Sequence, residues 1–138
     1  MKFTTDDVVT DDHEGLIEVS FGARNGMFFQ LARLSEKCCQ NEGIVDRGMA
    51  DIYIVINDQG QAAYGGIREC LLTKTRFYAR FDSHSSSELQ TDSVDVTFNA
   101  SDVVFKKMRD ALHSIFRNIS VFVDETDLKG QGLVSSRT

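Results

Sequence analysis

Proline and tryptophan are absent from this chain of 138 residues, and cysteine occurs only three times. Without proline there is no rigid proline-rich linker and no polyproline recognition segment. Cys38, Cys39 and Cys70 are odd in number, and the first two are sequence neighbours, which seldom bridge. No paired spacing suits zinc, so they read as small, partly buried residues rather than a reactive thiol pair. No apolar run approaches the roughly 20 residues a bilayer span requires. The opening Met1-Lys2-Phe3-Thr4-Thr5-Asp6-Asp7 lacks the apolar centre of a signal peptide. A soluble cytoplasmic protein is the expectation.

A basic stripe is missing as well. Between Met1 and Ser20 stand six acids (Asp6, Asp7, Asp11, Asp12, Glu14 and Glu18) against one base, Lys2, so this segment carries −5 of the formal −6. The remainder is nearly neutral. Binding nucleic acid requires clustered bases that displace counterions from phosphates. Lys106, Lys107 and Arg109 do not supply such a cluster and read as a solvated helix face.

Catalytic spacings are equally scarce. There is no Gly-x-Ser-x-Gly and no His-Glu-x-x-His. His13, His84 and His113 have no converging spacing, and His113 lies beside an apolar helical stripe, where a packed histidine is expected. Asp11-Asp12-His13-Glu14-Gly15 does not reproduce the alternating ligands of a calcium loop. Gly65-Gly66 lacks the remaining glycines of a phosphate loop and leads into a strand, so it reads as a bulge or sharp coil. Tyr64 beside it is placed to stack over exposed glycine backbone and is a candidate partner contact. No catalytic residue, metal or cofactor is expected, and the chain is not read as an enzyme.

What the chain does have is a core: 41% hydrophobic residues, ten of them Phe, in a length that fits one domain. Residues 1–123 form that domain, 1–14 being its acidic start, and 124–138 are a flexible tail with little to bury. Leu16 to Phe21 alternate as a half-buried strand, and Gly22 to Gly26 punctuate a turn. Met27 to Leu34 fit strand and helix spacing equally well. Ser35 to Met49 are polar and read as a long connection, a kind that is often mobile or functional. Asp51 to Ile67 read as a strand, a turn at Asn57-Asp58-Gln59-Gly60 with Gly60 in the left-handed position, and a second strand. Ile52, Ile54 and Ile56 oppose Tyr53 and Val55, so both faces are apolar, as in a central strand. Leu71 to Phe81 supply another strand and Val94 to Phe98 an alternating one. Ser83 to Leu89 suit either a helical turn capped by Ser85 with Glu88, or a loop. Ser101 caps the clearest helix, whose stripe is Val104, Met108, Ala111, Leu112 and Ile115, widened by Phe105 and Phe116. Ile119 to Val123 read as a last strand at an edge. The pattern is α+β: a mostly antiparallel sheet with one long C-terminal helix, 101–117, packed on one face.

The ordered run of the Tyr64-Gly65-Gly66-Ile67 step, the following strand, the alternating strand and the Leu112-x-x-Ile115-Phe116 ending resembles immunity protein family ten. These are small bacterial proteins that neutralise partner toxins of polymorphic toxin systems. The resemblance covers roughly Leu16 to Phe116 and selects a strand for Met27 to Leu34. It implies inhibition by binding: a cytoplasmic protein that blocks a cognate toxin domain without identifying which. Asp6, Asp7, Asp11, Asp12 and Glu14 are then candidates, with Tyr64, for contacting a basic toxin surface, and a solvated acidic segment is the competing reading. Two other functions remain open, a small ligand-binding or regulatory domain with a sheet–helix pocket, and an enzyme using Cys38 or Cys39.

Overall fold

Alternation decides which face each strand offers to the interior. In Leu16–Gly22 the residues Ile17, Val19 and Phe21 are buried while Leu16, Glu18 and Ser20 are not, and Phe29, Leu31 and Arg33 face inward from Phe28–Leu34. The computed structural model describes residues 1–126, apart from the side chains of residues 58–60. Its strands are β1 (Lys2–Thr5), β2 (Asp7–His13), β3 (Leu16–Gly22), β4 (Phe28–Leu34), β5 (Tyr53–Ile56), β6 (Asp58–Tyr64), β7 (Ile67–Leu72), β8 (Arg76–Phe81), β9 (Ser93–Phe98) and β10 (Phe122–Asp124). The helices are α1 (Glu36–Glu42), α2 (Ser83–Leu89) and α3 (Asp102–Ile115), with a 3-10 turn at Gly48–Asp51.

The class is α+β, but the strands form two five-stranded sheets rather than one, in the orders β1-β9-β8-β7-β10 and β2-β3-β4-β5-β6. Pairing is antiparallel except at the two edges of the first sheet, where β1 runs parallel to β9 and β10 parallel to β7. Periodicity reports which side of a strand is wet. It is silent on which strand lies beside it, so one sheet and two look alike in sequence. The inner faces meet through phenylalanines. Phe21 of the second sheet lies 5.4 Å from Phe77 and 5.8 Å from Phe98 of the first, and Phe29 lies 5.7 Å from Phe77, centroid to centroid. Offset and tilted rings at such distances add to the area they bury.

The C-terminal helix, α3, begins where expected: Ser101 Oγ accepts from the Val104 amide at 3.2 Å. Its buried residues are Phe105, Met108, Ala111, Leu112 and Ile115. It packs against β2, β3 and β4, and Phe105 reaches Phe98 at 6.1 Å. At 14 residues it is one of three helices, not a single dominant one. The connection expected at 35–49 contains α1, capped by Ser35, whose hydroxyl accepts from the Cys38 amide at 3.0 Å, and closed by Gly43 at φ 68°. This helix escaped the pattern because it buries only Cys39 and so shows no apolar stripe. The serine run is helix α2, and its cap is Asp82, which accepts from the Ser85 amide at 2.8 Å, rather than Ser85.

Leu71 to Phe81 is not one strand. Thr73 donates to the Arg76 carbonyl at 2.9 Å, and the Thr75 amide to Thr73 Oγ1 at 3.3 Å, so hydroxyl chemistry makes a hairpin turn between β7 and β8 where no glycine or asparagine marks it. Between β5 and β6 the left-handed residue is Asn57, at φ 54°, next to a register shift at Val55/Ile56. Met27 to Leu34 is extended, as the resemblance implied. The last strand, β10, sits at an edge and ends on buried Asp124, one residue into the expected tail; residues 127–138 of that tail lie outside the described residues.

After β2 to β6 the chain passes from the second sheet back to the first at Gly65-Gly66. Both residues have positive φ, 71° and 81°. A Cβ on Gly66 would overlap Ser85 Oγ and stand 2.8 Å from Asp82 Oδ1, and one on Gly65 would stand 3.0 Å from the Met49 carbonyl. Ser85 Oγ donates to the Gly65 carbonyl at 2.9 Å and the Asp82 amide to that of Gly66 at 2.7 Å, so α2 is seated directly on the glycine backbone. The paired glycines satisfy close approach and left-handed geometry together.

Two outcomes follow from this packing. Leu112, fully buried on α3, should cost about 2–5 kcal/mol when replaced by Ala, read as a shift in chemical denaturation; a change of a few tenths would place the helix outside the core. Gly66→Val should abolish cooperative folding, and a stable, fully folded Gly66→Val protein would show that α2 does not need this backbone.

Candidate functional site

The outer face of the second sheet is the place to look. Leu16, Glu18, Phe28, Gln30, Ala32, Tyr53 and Val55 all point away from the phenylalanine core, and none is fully exposed. A wall explains this. The segment after α1 stands over the sheet, and its Ile44, Val45 and Arg47 line, together with Tyr64 of β6, a groove of about 800 Å³. Ile44, Val45 and Tyr64 form its lips and are 45%, 77% and 63% exposed.

The wall is held by a charge inside the protein. Arg33 occupies an inward position of β4, and its side chain is only 1% exposed. Its Nη1 donates to the carbonyls of Ile115 at 2.7 Å and Arg117 at 3.2 Å, at the C-terminal end of α3, and its Nη2 to Asp46 Oδ1 at 2.7 Å. Arg117 Nη2 takes the other oxygen of Asp46 at 2.9 Å and also donates to the Leu34 carbonyl at 2.8 Å. The Gly48 amide adds a third bond to Asp46 at 3.1 Å. One carboxylate thus joins β4, the end of α3 and the groove wall. The Arg33 guanidinium beside it, with the Gly48 amide and Arg117, holds the Asp46 carboxyl down at about 2 against an ordinary 3.8, despite the opposing effect of burial. Arg47 and Asp51, paired at 2.8 Å, brace the next turn of the wall.

One transverse row crosses the whole face. Asp11 opposes Glu18, Glu18 opposes Ala32, Ala32 opposes Tyr53 and Tyr53 opposes Tyr64. The row therefore runs from acid, through the smallest side chain on the groove floor, to a tyrosine pair whose centroids are 4.9 Å apart. The ring of Tyr64 meets that of Tyr53 in a tilted contact, at an interplanar angle of 42°.

The acidic candidates separate. Asp7 and Asp11 lie on the groove side of β2, which is an edge strand. Asp12 has the opposite parity, Asp6 sits where the chain crosses between the sheets, and Glu14 occupies the β2–β3 turn at φ 54°. Asp12 and Glu14 border a shallow depression beside α1 with Lys37 and Cys38. Asp11 and Tyr64, far apart in sequence, are thus on one face, while Asp6, Asp12 and Glu14 are not. Missed altogether were Arg33, Asp46, Ile44 and Val45. The alternation Phe29, Leu31, Arg33 already points the arginine inward, and Ile44-Val45 stand out as apolar residues in a polar connection; both signals were legible. Asp46 carries no local signal, because its partners come from β4 and the end of α3.

Cys39 and Cys70 are buried and Cys38 is half-buried, all as free thiols. Burial pushes the Cys70 thiol well up, which makes it a packing residue. Among the described residues no group of His, Cys, Asp or Glu is arranged to hold a metal ion, and no helix is long and apolar enough to cross a membrane.

The chain is a two-sheet α+β domain with a walled, acid-edged groove, and sequence comparison gives it a family. The family model for Immunity protein 10 matches residues 5–106, most of the chain, and the chain belongs to that family. The match takes in the acidic strand β2 and stops within α3, before the Leu112 to Phe116 ending on which the resemblance partly stood. No curated protein matches the chain in sequence.

The clamp makes a pH-dependent prediction. A carboxyl whose pKa is lowered by folding stabilises the protein fully above its ordinary value near 3.8, and that contribution is lost as pH falls toward about 2. Asp46→Asn should lower stability by about 1–3 kcal/mol at neutral pH, through weakened charge-assisted hydrogen bonds. In urea unfolding the gap between wild type and Asp46→Asn should narrow between pH about 4 and about 2. A gap that stays constant across that range would show that folding does not lower the Asp46 pKa, and no gap at neutral pH would show the pair to be unimportant for stability.

Proposed function

We propose that this protein binds a cognate bacterial toxin domain and neutralises it by direct contact, without catalysis, in the cytoplasm of the cell that makes it. The observation that carries this reading is membership of the Immunity protein 10 family over residues 5–106. The chemistry of the surface supports it. Inhibition by binding needs a rigid face with apolar anchors and charge to guide encounter, and the groove has exposed Val45 and Tyr64 beside an acidic edge strand. The toxin surface that suits it is basic, as in a domain that acts on nucleic acid.

A second reading, a small ligand-binding or regulatory domain, is favoured by the groove itself. Its volume of about 800 Å³ falls within the range of small-molecule sites. Such a pocket lies on the outer face of the second sheet, not between sheet and α3.

Co-expression separates the two. A cognate toxin domain, sought first in the gene next to this one, should arrest growth alone, and this protein should restore growth and co-purify with it. Growth arrest that persists despite abundant, folded protein would reject the neutralising role and leave ligand binding as the better reading.

A further inference from the structure

Three features of the groove bear on what it could receive. The first is electrostatic. Asp11 and Glu18 stand directly opposite each other across the β2–β3 pair, both on the groove side. Like charges in that relation are destabilising. Among the described residues neither has a Lys or Arg partner, although six other acidic side chains do. The second is apolar. Ile44 and Val45 are held out in solvent on a wall that Asp46, the next residue, fixes to the core, and the exposed Tyr64 lines the same groove. The third is shape. Ala32 places the least bulk between Glu18 and Tyr53, so the floor dips in the middle of the row.

We infer that the row Asp11–Glu18–Ala32–Tyr53–Tyr64 is the recognition track for the toxin: the groove receives an extended toxin segment that sets an apolar side chain between Val45 and Tyr64 above Ala32, and a Lys or Arg against Asp11 and Glu18. This rests on the toxin-binding reading above. The charge pattern selects the occupant. A single partner cation relieves the repulsion between both carboxylates at once, and the apolar lips lose their water in the same event. The track spans four inter-strand steps, roughly 19 Å, a length suited to a peptide segment with a charge at one end and an apolar anchor near the other. The wall needs no ordering on binding, since the Arg33–Asp46–Arg117 clamp fixes it beforehand, and a pre-formed site keeps more of its contact energy as affinity.

The test measures binding kinetics of the full chain to the purified, catalytically inactivated toxin domain that the growth assay identifies, at low and high salt. Variants are Val45→Asp, the double replacement Asp11→Asn with Glu18→Gln, and Lys107→Glu on the solvent side of α3 as control, each with its unfolding midpoint measured. Val45→Asp should raise Kd by about ten-fold or more, chiefly through faster dissociation. The double variant should slow association at low salt and flatten its salt dependence. The control should bind as wild type does. Wild-type binding with unchanged kinetics in both groove variants would overturn the track while leaving neutralisation intact. No wild-type binding at all would overturn the functional reading and the track with it. A wild-type dimer that Val45→Asp makes monomeric would assign the groove to a second copy of the chain, and a small molecule that co-purifies with wild type and is lost in Val45→Asp would assign it to a ligand; either result would overturn the inference.

Discussion

The guanidinium of Arg33 is the constraint on which the rest of this structure turns. A cation withdrawn from water is costly unless its donors are met by good acceptors. Here the acceptors come from three places that share no sequence neighbourhood: the carbonyls of Ile115 and Arg117 at the end of α3, and the carboxylate of Asp46 in the wall. Pairing the two terminal nitrogens of one side chain, whose Nε has no partner among the described residues, therefore fixes where α3 stops, how it meets β4 and where the connection after α1 must lie. An apolar residue at position 33 would fill the same space without specifying any of these. The surface groove owes its shape to an interaction in the interior.

That dependence explains what was legible in the sequence. Strands with clean alternation, such as Leu16 to Phe21 and Val94 to Phe98, and the capped helix from Ser101, declared themselves, since each carries its own periodicity. The elements that went unseen are those whose reasons lie elsewhere. Helix α1 buries a single side chain, α2 is a serine run seated on glycine backbone, and the turn between β7 and β8 is made by threonine hydroxyls. The division into two sheets is a matter of partners, and no strand contains that information alone. Of the site, the sequence offered its two ends, Asp11 and Tyr64, without the register that puts them in one row. Its wall was visible only as a polar connection of unusual length.

The outer face also departs from local rules. On the other sheet Arg76 meets Asp95 at 2.8 Å, and Arg109 of α3 meets Asp124 at 2.7 Å. On the groove side Asp11 faces Glu18, and large apolar side chains stand in water. Departures of this kind tend to gather where a protein meets something else, because the free chain is not the state being optimised. The acids on β2 have a second consequence as well. They lie on an open sheet edge, where charge discourages pairing with a stray strand.

The order of the strands carries a consequence for time. The sheet bearing the groove is an unbroken meander from β2 to β6, each strand pairing with the next in sequence. The other sheet joins Lys2 to Asp95 and Phe122 to Cys70, so the entropy of closing long loops falls on that sheet. During synthesis all five strands of the groove floor have emerged once residue 64 leaves the ribosome. The wall is different: its carboxylate waits for Arg117, near the end of the described chain. The face of the groove is laid down early, and its latch arrives last.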